Sequence, residues 1–368
     1  MRGITFDEVL RVQAPFWHVS LGARLSPQRV RVDGLTLDTE HAGVVPLAEI
    51  TSAFSVSESD PPCVMVRRRA ARFVIHVRSP EEGERLLHAI GFSKAQRSTS
   101  FRVIARARLF PGFFLSLCFA WMLVLAFRVN FYLLTLAPIF GRVFFFLVRG
   151  GRTLLVGSDG VSISRFGRHR FISYDAIESV NRFADISEGG RGGVGRGQQT
   201  FLGVALHLKN QENVTLPMTT REAPRSEHHD LLGAYERLSG ALADWRASKP
   251  SDEGELLRRK SRAAKEWLDS LKKLGTDLGG YRVAQIDRET LARIVEDPAK
   301  DASTRAAAAL VLRERWTTEE RARLDVSAKT TANLKLRIAL DRVIEDGEDA
   351  DLEAALDELA STEPNLRR

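Results

Sequence analysis

The sequence predicts a multi-domain membrane protein: two small β domains, each a set of antiparallel strands closed by a C-terminal helix, two transmembrane helices between them, and an all-α C-terminal module. Three observations predict it. The stretch from Leu109 to Val148 is almost wholly apolar, alternating runs with Asp-Gly turns stand on both sides of it, and from Gly254 onward strand signals give way to Ala, Leu, Arg and Glu.

The apolar stretch reads LFPGFFLSLCFAWMLVLAF, then Arg128, then VNFYLLTLAPIFGRVFFFLV. One continuous helix over it would be about 60 Å long, twice a hydrocarbon layer of about 30 Å, so two spans fit better. They are 109–127 and 129–148, turning at Arg128, Val129 and Asn130. The alternatives are one span plus an interfacial segment, or a buried hydrophobic hairpin in a soluble protein. Lys94, Arg97, Arg102, Arg106 and Arg108 precede the stretch and Arg149 and Arg152 follow it, whereas the turn offers only Arg128. By the positive-inside rule both ends face the cytoplasm, with the bilayer as an integral partner. Arg142 snorkels toward the headgroups from near the end of the second span, and Pro111 and Pro138 are tolerated as a helix start and a kink. A transport role for Arg142 lacks a second ionisable partner in the spans.

The chain has 368 residues, enough for two or three domains, and a formal net charge of +7. The positive excess gathers at the flanks of the apolar stretch and between Arg149 and Arg196, which topology and anionic lipid explain, so nucleic acid is not expected. Two cysteines, Cys63 and Cys118, give neither a disulfide framework nor metal spacing. The N-terminus has no apolar core resembling a signal peptide.

The first β domain is expected at 1–105. RVRVDGLTLDT places Val30, Val32, Leu35 and Leu37 about an Asp33-Gly34 turn, and VVPLAEITSAF and CVMVRRRAARFVIHV continue the strands. SPEEGERLLHAIGF then changes period: Ser79 caps, Pro80 opens the helix, Glu81 and Glu82 suit its positive end, and Leu86, Leu87 and Ile90 share a face. The second β domain, at 150–248, repeats this order. RTLLVGSDGVSISRF carries an Asp159-Gly160 turn, RHRFISYDAIESVNRF follows, FLGVALHLKNQENVTLPM turns around Asn210 to Asn213, and a helix capped at Ser226 runs through Leu231, Leu232, Tyr235, Leu238, Leu242 and Trp245. Asp33-Gly34-Leu35-Thr36-Leu37 aligns with Asp159-Gly160-Val161-Ser162-Ile163, and Pro46-Leu47-Ala48-Glu49-Ile50-Thr51-Ser52 with Ser173-Tyr174-Asp175-Ala176-Ile177-Glu178-Ser179. These pairs point to an internal duplication.

The DG-centred hairpin and the run Phe171-Ile172-Ser173-Tyr174-Asp175-Ala176-Ile177-Glu178-Ser179-Val180 resemble the bacterial pleckstrin-homology-like (PH-like) domains found beside membrane spans. The first copy departs from the pattern, with Pro46-Leu47 where an aromatic is expected. The resemblance covers about two thirds of the chain and marks fold, not catalysis. It implies a curved seven-strand sheet closed by a C-terminal helix, used for binding proteins, peptides or lipid headgroups, in a protein of the bacterial cytoplasmic membrane.

After a linker at 249–256, the region 257–368 is helical. Leu257, Ala264, Trp267, Leu268, Leu271 and Leu274 form a stripe, Asp287 caps a run through Leu291, Ile294 and Val295, TRAAAALVLRERW follows, and Thr317 with Glu320 makes a capping box. Paired short helices of this kind resemble HEAT-type repeats; a small helical bundle is the alternative. Residues 345–358 are strongly acidic.

No residue pattern points to catalysis, a cofactor or a metal. SEGGRGGVGRGQQ, from Ser187 to Gln199, lacks the Gly-Lys-Ser/Thr ending of a phosphate loop. His228 and His229 are helix neighbours that do not share a face, and Arg67, Arg68 and Arg69 read as a solvated hairpin tip. The candidate contacts for a partner or an anionic lipid headgroup are Arg165, Arg168, Arg170, Arg191 and Arg196. The function expected is a non-enzymatic, membrane-anchored scaffold recruiting protein partners through its β domains and helical module. The alternatives are an anionic-lipid-sensing protein and an accessory subunit of a transporter.

Overall fold

Strand alternation, turns and caps place most elements where the sequence puts them in this computed structural model. The structure describes residues 4–9, 11–13, 28–33, 36–39, 43–68, 71–103, 152–165, 168–187, 199–223, 225–248, 254, 257–259, 262–277, 287–313, 316–345 and 349–366.

In the first unit, β1 (Ile4–Val9), β3 (Gln28–Asp33), β4 (Thr36–Thr39) and β5 (Gly43–Pro46) form one antiparallel sheet in the order β1-β3-β4-β5. A second sheet has the order β2-β8-β7-β6, from β2 (Arg11–Gln13), β6 (Ile50–Val56), β7 (Cys63–Arg68) and β8 (Ala71–His76). Helix α1 (Pro80–Ala89) follows, with the Ser79 hydroxyl accepting from the Glu82 amide.

The second unit repeats the plan. β9 (Thr99–Val103), β10 (Arg152–Val156), β11 (Gly160–Arg165) and β12 (Arg168–Ser173) form the sheet β12-β11-β10-β9; β13 (Ile177–Ser187), β14 (Gln199–Leu208) and β15 (Asn213–Thr220) form a three-stranded sheet; and α2 (Arg225–Ala247) closes them. The correspondence extends to irregularities. In each unit one turn of 3-10 helix, Leu47–Glu49 or Tyr174–Ala176, leads from the first sheet into a strand of the second, β6 or β13. Each such strand then bulges at the aligned position, between Ile50 and Ser52 and between Ile177 and Ser179. The aligned Ile-x-Ser residues thus mark a corner followed by a bulge. Tyr174 is buried at that corner and donates to the Gly157 carbonyl at 2.8 Å, a bond that Leu47 cannot make.

Two arrangements depart from the sequence reading. β9 falls inside the expected first domain, 1–105, yet pairs along its length with β10, Arg152↔Val103 through Val156↔Thr99. The second departure concerns the membrane. Among the described residues no helix is long and apolar enough to cross a bilayer, which corrects the expected two transmembrane helices and the multi-pass placement in the bacterial cytoplasmic membrane. The longest described helix, α2, carries Glu227, Asp230, Glu236, Arg237, Asp244 and Arg246, too many charges for lipid. The expected spans 109–127 and 129–148, with Arg142, lie outside the described residues.

The run CVMV in β7 does not alternate because both its faces are covered. Val64 and Val66, with Ala53, Phe73 and Ile75, join the first unit's own core; Cys63 and Met65, with Phe54, Val56 and Val74, join the core of the second unit around Phe101, Leu154, Leu206 and Leu238. At about 1.5–3 kcal/mol for each large apolar side chain buried, these shared residues hold the two units together.

The C-terminal helices are α3 (Ala264–Asp277), α4 (Arg288–Glu296), α5 (Ala302–Arg313), α6 (Thr318–Thr330), α7 (Leu334–Ile344) and α8 (Asp349–Leu366). α5 is buried at every position from Ser303 to Leu312, with α3, α4, α7 and α8 packed against it. Its run Ala306 to Ala309 lets those neighbours approach closely. This is a bundle around a central helix. The Trp267 indole donates to the Leu257 carbonyl at 3.0 Å, so the buried ring leaves no polar atom unsatisfied.

Candidate functional site

Helix α2 is where the first two units meet. Gly233 lies so close to β6 that a Cβ there would stand 2.3 Å and 2.4 Å from two ring carbons of Phe54, and only glycine allows that approach. One turn earlier, buried Asp230 faces Arg67 of β7 at 2.5 Å and Arg72 of β8 at 3.1 Å. Arg67 also donates to the Ser100 carbonyl of β9 at 3.3 Å and lies over the Phe54 ring. Removing the carboxylate would leave two neighbouring guanidinium groups of β7 and β8 at the seam without their countercharge, so the cluster fixes the pairing of the units. The solvated tip expected for Arg67, Arg68 and Arg69 is corrected here: Arg67 is buried, Arg68 pairs with Glu49, and Arg69 lies outside the described residues.

Beside this cluster a cleft of about 310 Å³ opens between β6, α1 and α2, lined by Ser55, Glu84, Lys94, Glu236, Arg237 and Gly240 among others. Three of its charged side chains are engaged, two of them across the seam. The Glu236 carboxylate accepts the amides of Ser57 at 2.8 Å and Glu58 at 2.7 Å, the Ser55 hydroxyl donates to Glu84 at 2.6 Å, and Arg237 donates to the Arg97 carbonyl at 3.0 Å. Burial holds Arg237 below the ordinary arginine value, while Tyr174, Glu84 and Asp244 pull it back up. The bonds of Glu236 and Arg237 hold the two units in register.

A second seam joins the helical module to the β10–β11 turn. The Asp159 carboxylate accepts the amide of Ala332 at 2.7 Å and that of Asn333 at 3.4 Å, at the start of α7. An anion suits a helix N-terminus, and Asn333 caps the following amides of Lys335 and Leu336. Behind Asp159 lies Arg305 of α5, 1% exposed, with Nη1 3.8 Å from the carboxylate. Its other nitrogens donate to the Val295 carbonyl at 2.8 Å and to the hydroxyls of Ser327 and Thr331. Burial lowers the Arg305 pKa, and the charges of Asp159 and Asp297 oppose that. Ser158 donates to the Thr330 carbonyl at 2.9 Å, Ser98 to the Lys329 carbonyl at 3.0 Å, and Arg337 to the Ser98 hydroxyl and the Thr331 carbonyl. Gly157 completes the fit, since a Cβ there would stand 2.4 Å from the Ala332 nitrogen.

Of the residues singled out on sequence, Arg168 and Arg170 are exposed on β12, and Arg165 on β11 is the Cα partner of Arg168. Arg170 holds Glu212 with both guanidinium nitrogens, at 2.6 and 2.7 Å. Hydrogen bonding to Arg170 lowers the Glu212 carboxyl and raises Arg170 itself. Arg191 and Arg196 fall in 188–198, which connects β13 and β14 and lies outside the described residues; the strand ladder reaches Ser187↔Gln199 on either side of it. The structure therefore brings Arg165, Arg168 and Arg170 to one end of a sheet. Among the described residues no group of three His, Cys, Asp or Glu could hold a metal ion.

Sequence reasoning missed Asp159 and Asp230 as joints. Asp230 had a signal, an acid at the border of the apolar stripe Leu231, Ala234, Leu238 and Leu242. Asp159 had none, because it looked complete as a turn residue and its partners lie more than 140 positions away. No protein-family model matches the chain, and no curated protein matches it in sequence.

Proposed function

We propose that this chain is a binding scaffold that recruits a protein partner onto a rigid assembly of two PH-like units and a helical module. The observation that carries the reading is the pair of seams. Buried ions and glycine-fitted contacts at Asp230 and Asp159 join the three parts, so surfaces on separate parts keep fixed spacing. A fixed spacing matters for recruitment, because a partner that touches two preorganised surfaces loses less freedom on binding than one that must assemble them. Two antiparallel sheets followed by a helix, four plus four strands in the first unit and four plus three in the second, and the bulge repeated at Ile50 and Ile177, support the PH-like assignment of both units.

The test is affinity purification of the tagged full chain from its own cells, compared with a Gly233→Leu chain at equal abundance. The scaffold reading expects specific proteins that bind the native chain and are lost when the seam at Phe54 is broken. Recovery of nothing above the background of an unrelated tagged protein would refute it.

A further inference from the structure

We infer that β12 is a docking edge for an extended acidic segment of a partner protein, which adds to the sheet as an antiparallel strand. The inference rests on the scaffold reading and names the chemistry of its partner. β12 ends the order β12-β11-β10-β9, and among the described residues its ladder runs to β11 alone, from Gly160↔Ser173 to Arg165↔Arg168. An outer strand leaves alternate N–H and C=O groups directed away from the sheet, a template for another strand.

The outer strand β13 is treated differently. On β13, Arg246 donates to the carbonyls of Ile177 and Glu178, and Arg182 pairs with Glu58 at 2.6 Å while lying over the Tyr235 ring. On β12 the residues Arg168, His169 and Arg170 are all exposed.

Charge selects the partner. Arg168, Arg170 and Ile172 alternate onto one face, where Ile172 is buried beside Val161 and the face turns basic toward Arg168. Arg168, at the end of the ladder with β11, adds a second exposed positive charge that a facing carboxylate would meet. Glu212 already shows that a carboxylate seats on Arg170 in the two-pronged geometry. An antiparallel partner strand would therefore read apolar-x-acidic-x-acidic, its apolar side chain beside Ile172 and its acids beside Arg170 and Arg168.

The experiment titrates the full chain into a fluorescent, end-blocked peptide Thr-Val-Thr-Glu-Thr-Glu-Thr, followed by anisotropy, with hydrogen exchange read over 168–173. The expected result is saturable binding, slowed exchange at those amides, and about tenfold or greater weakening when lysine replaces both glutamates. An R168E/R170E chain is expected to reverse the preference. R168Q/R170Q, which puts no new acid beside Glu212, is expected to abolish it. Equal affinity for the two peptides, no binding at millimolar peptide, or binding that leaves exchange over 168–173 unchanged would overturn the inference. Copurification separates the two readings: an R168E/R170E chain that keeps every native partner overturns the edge alone, whereas a native chain with no partners overturns the scaffold.

Discussion

Replacing Asp159 with alanine should release the helical module from the second β unit while leaving both cores intact. The change removes the acceptor of the Ala332 and Asn333 amides and the countercharge of Arg305. Arg305 is 1% exposed and its Nη1 has no hydrogen-bond partner, so the carboxylate is what offsets that end of the guanidinium. Breaking one side of a buried pair costs about 3–5 kcal/mol, a large share of what a domain interface can spare. Asp159→Asn keeps an oxygen for the Ala332 amide and should cost less, about 1–2 kcal/mol. Pairing it with Arg305→Met removes both charges together and should recover most of the loss. The chain has several cooperative parts, so a single unfolding curve is not enough. Urea titration with hydrogen exchange at 330–333 reads the joint directly. A loss below about 1 kcal/mol, or unchanged protection at Ala332, would refute the reasoning.

Gly233→Ala should destabilise the chain although alanine is the better helix former. The new methyl meets the Phe54 ring at 2.3 Å, and overpacking of this kind costs about 1–3 kcal/mol against a propensity gain of about 1; a raised Tm would contradict it. Cys63 is buried, and burial pushes its thiol above the ordinary value, with Ser59 lowering and Glu236 raising it in turn. Alkylation at pH 8, mapped by mass spectrometry, should therefore leave Cys63 unmodified until the chain is denatured. Glu320 lies below its usual 4.5: burial alone would raise it, but hydrogen bonds from Arg288 and from the backbone and hydroxyl of Thr317 prevail. A carboxyl lowered in the folded state adds stability above its unfolded value and loses it as pH falls toward the folded one. Glu320→Gln should thus flatten the acid limb of α6 stability as pH falls below about 5, and an unchanged limb would contradict this.

The local elements were legible because their signals are local. The β3 and β4 ladder closes at Asp33↔Thr36, Asp159-Gly160 turns the β10–β11 hairpin, Ser79 caps α1, and Thr317 with Glu320 makes the capping box, each within four residues of the group it serves. The duplication was legible from aligned residues, and the structure gives its reason, a 3-10 corner followed by a bulge. What stayed hidden was long-range. β9 reads as the end of the first unit, yet its ladder partner β10 follows a long intervening segment. The run CVMV shows that both faces are buried but not that the second face meets another unit. Arg67 reads as part of an exposed basic triplet, and only the arrival of α2 with Asp230 makes it a buried joint. The apolar stretch predicted spans, whereas every described helix that is long enough carries charges around its circumference. The candidate arginines were half legible: composition singled out Arg168 and Arg170, and sheet order alone revealed that they stand on the last strand of their sheet among the described residues.

A rigid scaffold requires that the two seams make one body of three parts. Hydrogen exchange across a urea series measures this directly, by comparing the amides of Ser98, Ser158 and Ala332, which bond across the helical seam, with those of Val204 and Leu206 inside β14. The account predicts that both sets lose protection together, near one denaturant concentration. Exchange of the seam amides at far lower urea, with β14 still protected, would mean that the module undocks freely, and the rigid scaffold would be wrong.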